Sequence, residues 1–338
     1  MKSPDSPLLS IRDLVVRHES GRGPAVPAVS GVSLDIFAGR IFALVGESGA
    51  GKSSLAQAVL RLVPAASGYI GFRGRDLNAL KTSELGEARR AIQYVFQNPA
   101  SALSPRRTVL QTVREPLDHF RIGPAGQRAE RARRALTAVG LDLRLASRYP
   151  AALSGGQRQR VALARALAPE PDLIIADEPL SSLDVSVSSR IMDLILRLRA
   201  DTGVAFLFIM PDLSVARRLA DTLAVMYCGR IVETGPAKRV LDHPAHPYTR
   251  ALLAAVPVPD PDAPAPQILG GEPPSPLTPP SGCVFHKRCR ERLEHCSRQA
   301  PPETRLERIP ETDGDRIAGE HRVRCHLWSS PSHESPNQ

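Results

Sequence analysis

The chain runs to 338 residues, 42% of them hydrophobic, with 44 Lys and Arg against 35 Asp and Glu for a net charge of +9. That length gives ample core for one large domain or two modest ones, and no apolar run nears the ~18 residues of a spanning helix, so a soluble protein is expected. Residues 1–10 (MKSPDSPLLS) carry no apolar stretch behind their charge, so no secretory signal is expected, and the five cysteines are read as reduced, suited to a metal or cluster rather than disulfides.

Up to about residue 255, short apolar runs alternate with helical stretches, the rhythm of βαβ units in an α/β fold. RIFALV (40–45) predicts a buried strand, followed by a glycine loop and a helix from about Ser53. Residues 98–152 break the rhythm with helix-like, Arg- and Ala-rich sequence, which reads as an inserted α-helical subdomain. Ten Arg face four Asp or Glu between Asn98 and Ala152, an excess that suits a solvated helical face or an anionic partner surface. DLIIAD (172–177) and VAFLFIM (204–210) predict two further buried strands. LAVMYCGRIVETG (223–235) predicts a hairpin turning at Cys228-Gly229-Arg230, with Cys228 a buried small residue of an apolar strand. These elements place a first domain at 1–255. Ten of the residues from Pro257 to Pro280 are proline, which makes 256–280 an extended linker. The remainder, 281–338, is polar, contains Cys and His, and is too short for a sizeable core without a staple.

Chemistry concentrates in three places. Gly46-Glu47-Ser48-Gly49-Ala50-Gly51-Lys52-Ser53 fits G-x-x-x-x-G-K-[ST] between a strand and a helix. Its glycines let backbone N–H groups curl around phosphates, Lys52 reaches the β- and γ-phosphates, and Ser53 ligates Mg²⁺. LIIADEP ends a strand in Asp177, suited to holding Mg²⁺ through water, and Glu178, suited to act as base toward an attacking water. In LSGGQRQRVALARAL (153–167), Ser154 caps a helix whose first turn holds two glycines, a second helix start open to an anion. One nucleotide does not need two such starts in one chain, so the economical reading gives the second to a nucleotide held by another subunit.

With FQNP at 96–99, ADEP at 176–179 and SSLD at 181–184 in order, the chain resembles the ATP-binding subunits of ABC transporters. The resemblance implies a P-loop ABC-type nucleotide-binding domain and a head-to-tail dimer holding two ATP molecules. Each ATP then lies between one subunit's phosphate loop and the other's signature helix. It implies that Gly46, Glu47, Ser48, Gly49, Ala50, Gly51, Lys52, Ser53 and Ser54 hold ATP, with His18 where the family usually stacks an aromatic ring on adenine. Ser154, Gly155, Gly156 and Gln157 would face the partner's nucleotide, and Ser181 to Asp184 would line the seam. Glu178, Gln97 and Lys52 would carry hydrolysis, and Ser53, Gln97 and Asp177 would serve Mg²⁺, with Gln97 relaying to the membrane partner.

HPAHPYTRALLAAVP (243–257), the proline linker and PPSGCVFHKRC (279–289) are similar to the oligopeptide/dipeptide, also nickel-type, importer branch. In that branch Cys283, Cys289, Cys296 and Cys325 match a set that can hold a 4Fe–4S cluster. The spacing C-x5-C-x6-C-x28-C differs from the C-x2-C pairs of zinc ribbons, though zinc, helped by His286, His295 or His326, stays open beside free thiols. The branch implies a second ABC ATPase subunit, two transmembrane permeases, an extracytoplasmic substrate-binding protein and a peripheral place on the cytoplasmic face of the inner membrane. No nucleic acid is expected. A nucleic-acid-associated ABC ATPase and an ATP-gated clamp with negligible turnover are the alternatives.

One position departs from the family pattern. The strand after Asp-Glu should end in a switch histidine followed by Asp-Leu, yet Met210-Pro211-Asp212-Leu213 puts proline there, and residues 204–220 contain no histidine. Proline suits the first helical turn, so the fold is expected to be intact and hydrolysis at this chain's own site slow. Such a lesion makes sense in a heterodimer.

Overall fold

The computed structural model describes residues 6–20, 23–98, 102–181, 183–256, 269–275, 278–306 and 319–329. Its main sheet has eight strands in the spatial order β11 (Thr304–Leu306), β12 (His321–Val323), β10 (Arg230–Pro236), β9 (Thr222–Tyr227), β3 (Ile41–Val45), β8 (Ala205–Met210), β7 (Leu173–Asp177) and β6 (Ile92–Val95). The run from β9 to β6 is parallel, and β10, β12 and β11 add antiparallel strands at one edge. A second, antiparallel sheet orders β2 (Gly23–Ile36), β1 (Leu9–Ser20), β4 (Ala65–Phe72) and β5 (Arg75–Asp76).

The central strands read as unbroken apolar runs because both faces are covered. Ile41, Ala43 and Val45 of β3 enter one core with Phe206 and Phe208 of β8, while Phe42 and Leu44 enter the other with Leu207 and Ile209. The second core lies between the sheets and encloses the apolar residues of α1 (Lys52–Val59), among them Leu55, Ala56 and Val59. Burying α1 this way fixes its N-terminus, and with it the glycine loop, against the end of β3. After α2 (Thr82–Ala91), the predicted helical insertion contains α3 (Val109–His119) and α4 (Arg128–Ala138), packed with α5 (Gly155–Leu167) through Val113, Leu117, Leu136 and Val161. Its four acids each pair with arginine, as Arg114 does with Asp118 at 2.8 Å, but these exposed pairs add little stability.

The three strands expected from the apolar runs and the helix expected after the glycine loop are present, shifted by a residue or so: β3 starts at Ile41, α1 at Lys52, β7 at Leu173 and β8 at Ala205. The hairpin forms between β9 and β10, but Cys228 does not sit in a strand. It occupies the turn at φ 45°, followed by Gly229 at 77°, the two left-handed positions of a tight hairpin, and is only half buried. Residues 257–268 and 276–277 of the proline-rich stretch lie outside the described residues, as do Pro99 and Ser182 of the motifs.

Among the described residues the tail leans on the ATPase domain, its own packing amounting to a small cluster of Val323 and Cys325 with Ala245. After α6 (Val185–Thr202), α7 (Leu213–Leu219), α8 (Ala237–Asp242) and α9 (Pro247–Ala254), Val284 and Phe285 enter the main core, and β12 pairs with β10 through Glu233↔Val323 and Thr234↔Arg322. Glu233, 1% exposed, accepts hydrogen bonds from the Ala245 and His246 N–H groups at 2.7 and 2.9 Å and sits 2.7 Å from His321 Nε2. A buried carboxylate satisfied three ways stitches the tail strand to the sheet.

Candidate functional site

The site forms at the carboxyl ends of β3, β8 and β7, where an open α/β sheet presents ligands. Val45 pairs with Met210, and Asp177 with Ile209, so Gly46, Pro211 and Glu178 emerge side by side. Gly51, at φ 100°, caps α1 with no side chain, and a Cβ there would fall 2.0 Å from the Ala28 carbonyl oxygen. Glycine is therefore required for the loop to lie against β2, and the open helix start faces the loop as an anion cradle.

Lys52 is 4% exposed, and its Nζ donates to the carbonyls of Gly46 at 2.7 Å and Glu47 at 2.9 Å. Burial lowers its pKa, against the raising pull of Glu178, Asp177 and Glu47. An ammonium held this way is poised to exchange carbonyls for phosphate oxygens. Ser53 Oγ donates to Asp177 Oδ1 at 3.1 Å, and Tyr94 Oη donates to Asp177 Oδ2 at 2.7 Å. These oxygens fit Mg²⁺, a hard cation that keeps waters and substrate phosphates and needs few protein carboxylates. Ser53, Gln97 and, through water, Asp177 would hold it, and it would neutralise charge developing on the transferred phosphoryl group. Gln97 Nε2 donates to Glu178 Oε2 at 2.7 Å. Glu178 has φ 44°, a left-handed conformation costly for a non-glycine residue, held by its N–H donating to the Ile209 carbonyl at 2.9 Å. The backbone thus aims the carboxylate rather than leaving it to rotamer choice. His18 Nε2 lies 2.8 Å from Ser54 Oγ at the rim.

Pro211 is exposed and precedes the N-cap. The expectation of proline in the first helical turn is corrected: Asp212 is the cap, accepting from Ser214 N at 2.7 Å, and α7 begins at Leu213. The ring instead favours the extended exit of Met210 from β8.

The remaining predicted residues lie apart from this constellation. Ser154 and Gln157 cap α5 reciprocally, Ser154 N donating to Gln157 Oε1 at 2.9 Å. Asp184 caps α6, accepting from Val187 N at 2.8 Å; that bond, then the one from Ser186, holds its carboxyl below the usual range. The two helix starts pack on each other, since a Cβ on Gly156 would meet Val187 Cγ1 at 2.7 Å and one on Gly155 would touch Leu183.

Three residues of the site escaped the sequence reading: Tyr94, three positions before Gln97, and Tyr248 and Arg288, whose contacts with Glu47 no local pattern signals. Tyr248 Oη accepts from Glu47 N at 3.0 Å, and Arg288 grips the Glu47 carboxylate with Nη1 at 2.6 Å and Nη2 at 3.0 Å.

The tail cysteines are all free thiols. Burial raises Cys325 to about 12, with smaller raising effects of Cys283, Cys289 and Cys296, and burial likewise raises Cys283 and Cys289. Cys283 and Cys296 are neighbours, the Cys283 N–H donating to the Cys296 carbonyl at 2.8 Å, and Cys289 packs against the same core, whereas Cys325 packs with Val323 and Ala245. No group of three or more His, Cys, Asp or Glu side chains that could hold a metal ion forms among the described residues. His286 Nδ1 and His326 Nε2 instead lie 2.8 and 2.9 Å from the carbonyls of Cys283 and Gln299. Burial also pushes Cys228 up to about 11, which makes it a poor nucleophile.

Comparison with known proteins gives the family and the fold. Residues 29–181 match the ABC transporter family, and residues 232–296 match the oligopeptide/dipeptide transporter C-terminal region. The chain is 45% identical over 317 residues to the "Probable peptide ABC transporter ATP-binding protein" of Sinorhizobium fredii, covering 93% of this chain and 87% of that one. It is 42% identical over 306 residues to the oligopeptide transport ATP-binding protein OppF of Escherichia coli, covering 87% and 92%. Among solved structures, a dimeric ATP-binding cassette, MJ0796, in a post-hydrolysis state with ADP and Pi, matches with a TM-score of 0.60 at 31% identity, over 66% of this chain and 96% of that one. CbiO1 of Clostridium perfringens, part of the cbiONQ transporter complex, matches with a TM-score of 0.63 at 27% identity, over 71% and 92%. From the family matches and this degree of identity over most of both chains, the chain belongs to the ATP-hydrolysing ABC transporter ATP-binding proteins, in the branch that carries the oligopeptide/dipeptide transporter C-terminal region.

Proposed function

We propose that this chain energises a peptide importer as one half of a head-to-tail ATPase heterodimer, and that its own phosphate-loop site turns over slowly. The single observation that carries the second part is Pro211, set by strand register between Gly46 and Glu178 where the family places its switch histidine. Proline offers no donor to charge developing on the γ-phosphate. The signature helix of α5 keeps its capping box, so it remains fit to complete a competent site on the partner's nucleotide. A homodimer would carry two impaired sites, whereas a heterodimer keeps one good one. Two relatives named for peptide or oligopeptide transport support the cargo class.

Coupling to a permease has a surface to act through. A cavity of about 230 Å³ beside the helical subdomain is lined by Leu60, Leu62, Phe96 and Leu103 among others, with Leu62 52% and Phe96 46% exposed. It lies next to Gln97, so a loop seated there would sense Glu178 through one hydrogen bond. Among the described residues no helix is long and apolar enough to cross a membrane. Membership of the transporter family supports separate permease chains as the spanning partners, with this chain on the cytoplasmic face of the inner membrane. A substrate-binding protein outside would supply the peptide.

For the tail, four reduced cysteines are the basis for a cluster. Cys283, Cys289, Cys296 and Cys325, free thiols with the spacing of the branch's cysteine set, would hold a 4Fe–4S cluster. Among the described residues no three such side chains are set to hold a metal ion, so loading a cluster would require them to close up. Absorbance of anaerobically purified protein near the charge-transfer region of iron–sulfur centres tests this.

The dimer is tested by mixing the Glu178→Gln chain with its companion ATPase and Mg-ATP. Association with the companion, and none of the chain with itself, is expected; self-association as the stable form would overturn the heterodimer.

A further inference from the structure

We propose that Arg288, from the C-terminal tail, is a positioning residue for the phosphate loop: by gripping the Glu47 carboxylate it removes a negative charge from the path of the nucleotide's phosphates and couples nucleotide affinity to the docked tail. The inference rests on ATP binding at Lys52.

Glu47 is an awkward residue for an anion cradle. It stands second in the loop, between Gly46 and Ser48, and an unpaired carboxylate there would repel the phosphates that the loop's N–H groups attract. Arg288 answers that charge with a two-pronged pair at 2.6 and 3.0 Å. Such fork-to-carboxylate geometry is among the stronger ion-pair arrangements, and lysine cannot reproduce it. The Arg288 side chain is only 5% exposed and that of Glu47 27%, so salt screens the pair weakly. The rest of the guanidinium is fixed as well: Nε donates to the Gly270 carbonyl at 3.1 Å, and Nη1 lies 3.4 Å from Tyr227 Oη.

The tail also reaches Glu47 by a second route. Phe285, three residues before Arg288, packs its ring 5.3 Å from those of both Tyr227 and Tyr248. Tyr248 in turn accepts the Glu47 N–H at 3.0 Å. Backbone and side chain of one loop residue are therefore both held by a cluster that pairs Tyr227 with Tyr248 and that the docked tail completes with Phe285 and Arg288. Arg288 also directly precedes Cys289, so a change of state at the tail thiols has a short path to the loop.

The test is a titration of the full-length chain with a fluorescent N-methylanthraniloyl ATP and Mg²⁺, with Lys52→Ala setting the zero. Arg288→Met keeps the apolar stem and removes the charge; it is expected to weaken binding about tenfold, within the usual range for coupled sites. Arg288→Lys, a point charge without the fork, is expected to lose less. The deciding variant is the double, Glu47→Gln with Arg288→Met: once the carboxylate is gone its counter-ion is no longer needed, and affinity should return most of the way. An anchor that merely held the tail in place would show no such rescue. Thermal unfolding run in parallel identifies any variant that fails to fold, in which case Arg288→Lys carries the comparison. Wild-type affinity in Arg288→Met, or a double variant no tighter than Arg288→Met, would overturn the proposal.

Discussion

Pro211→His tests the slow-site reading most directly. Met210 is the last residue of β8 and pairs with Val45, while the Glu178 N–H donates to Ile209. A side chain at 211 therefore starts one step beyond the strand, flanked by the loop's first glycine and the base. An imidazole there would add one preorganised donor to the developing charge, worth about 3–4 kcal/mol or roughly 10²- to 10³-fold in turnover. Replacing an exposed proline ahead of the Asp212 cap costs only ~0.4–1 kcal/mol, through the freer unfolded chain. The stability loss is thus much smaller than the catalytic gain. The assay is single-turnover phosphate release by the assembled transporter in vesicles at saturating Mg-ATP, with Pro211→Ala as the variant that removes the ring but adds no donor. Acceleration by histidine alone is expected. If Pro211→His releases phosphate within twofold of the parent while binding nucleotide equally, or if Pro211→Ala accelerates as much, then a missing donor is not what limits this site.

Three further outcomes follow from other contacts. Tyr94→Phe removes the hydrogen bond to Asp177 Oδ2, so apparent Mg²⁺ affinity in an ATPase titration should fall about tenfold or more, in line with about 1.5–3 kcal/mol for one bond to a charged group; an unchanged Mg²⁺ requirement would show that the tyrosine does not orient the carboxylate. Phe285→Ala opens the ring cluster with Tyr227, Tyr248 and His246 and should cost about 3–5 kcal/mol in chemical denaturation, with near-zero cost the contrary result. His246 is fully buried, and burial drops its pKa to about 4, with Glu233 pulling it up and Arg250 pushing it down. Because the unfolded imidazole takes its proton first as pH falls below 6.5, the stability held above that pH is lost between 6.5 and about 4, up to ~3 kcal/mol; His246→Asn should flatten the midpoint's dependence on pH across that window, and an unaltered slope would count against it.

The parts of the site written in one stretch of chain were legible before any coordinates. Gly46 to Ser53 is a strand end, a turn and a helix start in eight consecutive residues, and LIIADEP is a buried strand with its acids at the exit. Apolar runs gave the central strands because both sheet faces are covered, so no alternation masks them. The antiparallel sheet of β1, β2 and β4 was invisible for the opposite reason. Its register is broken by repeated bulges, and irregular spacing erases the period of two on which such a reading depends. The hairpin turn at Cys228-Gly229-Arg230 was legible, but the apolar run beside it made Cys228 look like a buried strand residue, whereas it takes the first left-handed position of the turn and is half buried.

The tail shows where local reading ends. Four cysteines and a proline run suggested a separate stapled module, but the residues that matter are Val284, Phe285 and His321, which use the ATPase's own core and its β10 edge. Their partners lie far off in the chain: Glu47 and Arg288 are 241 positions apart, and Glu233 and His321 are 88. No periodicity spans such distances; only the folded sheet brings the groups together. The same folding places a charged tail residue against the second position of the phosphate loop. A segment docked there cannot move without changing the electrostatics of the first carbonyls that Lys52 must leave, so whatever loosens the tail should be felt first in nucleotide affinity and only afterwards in turnover.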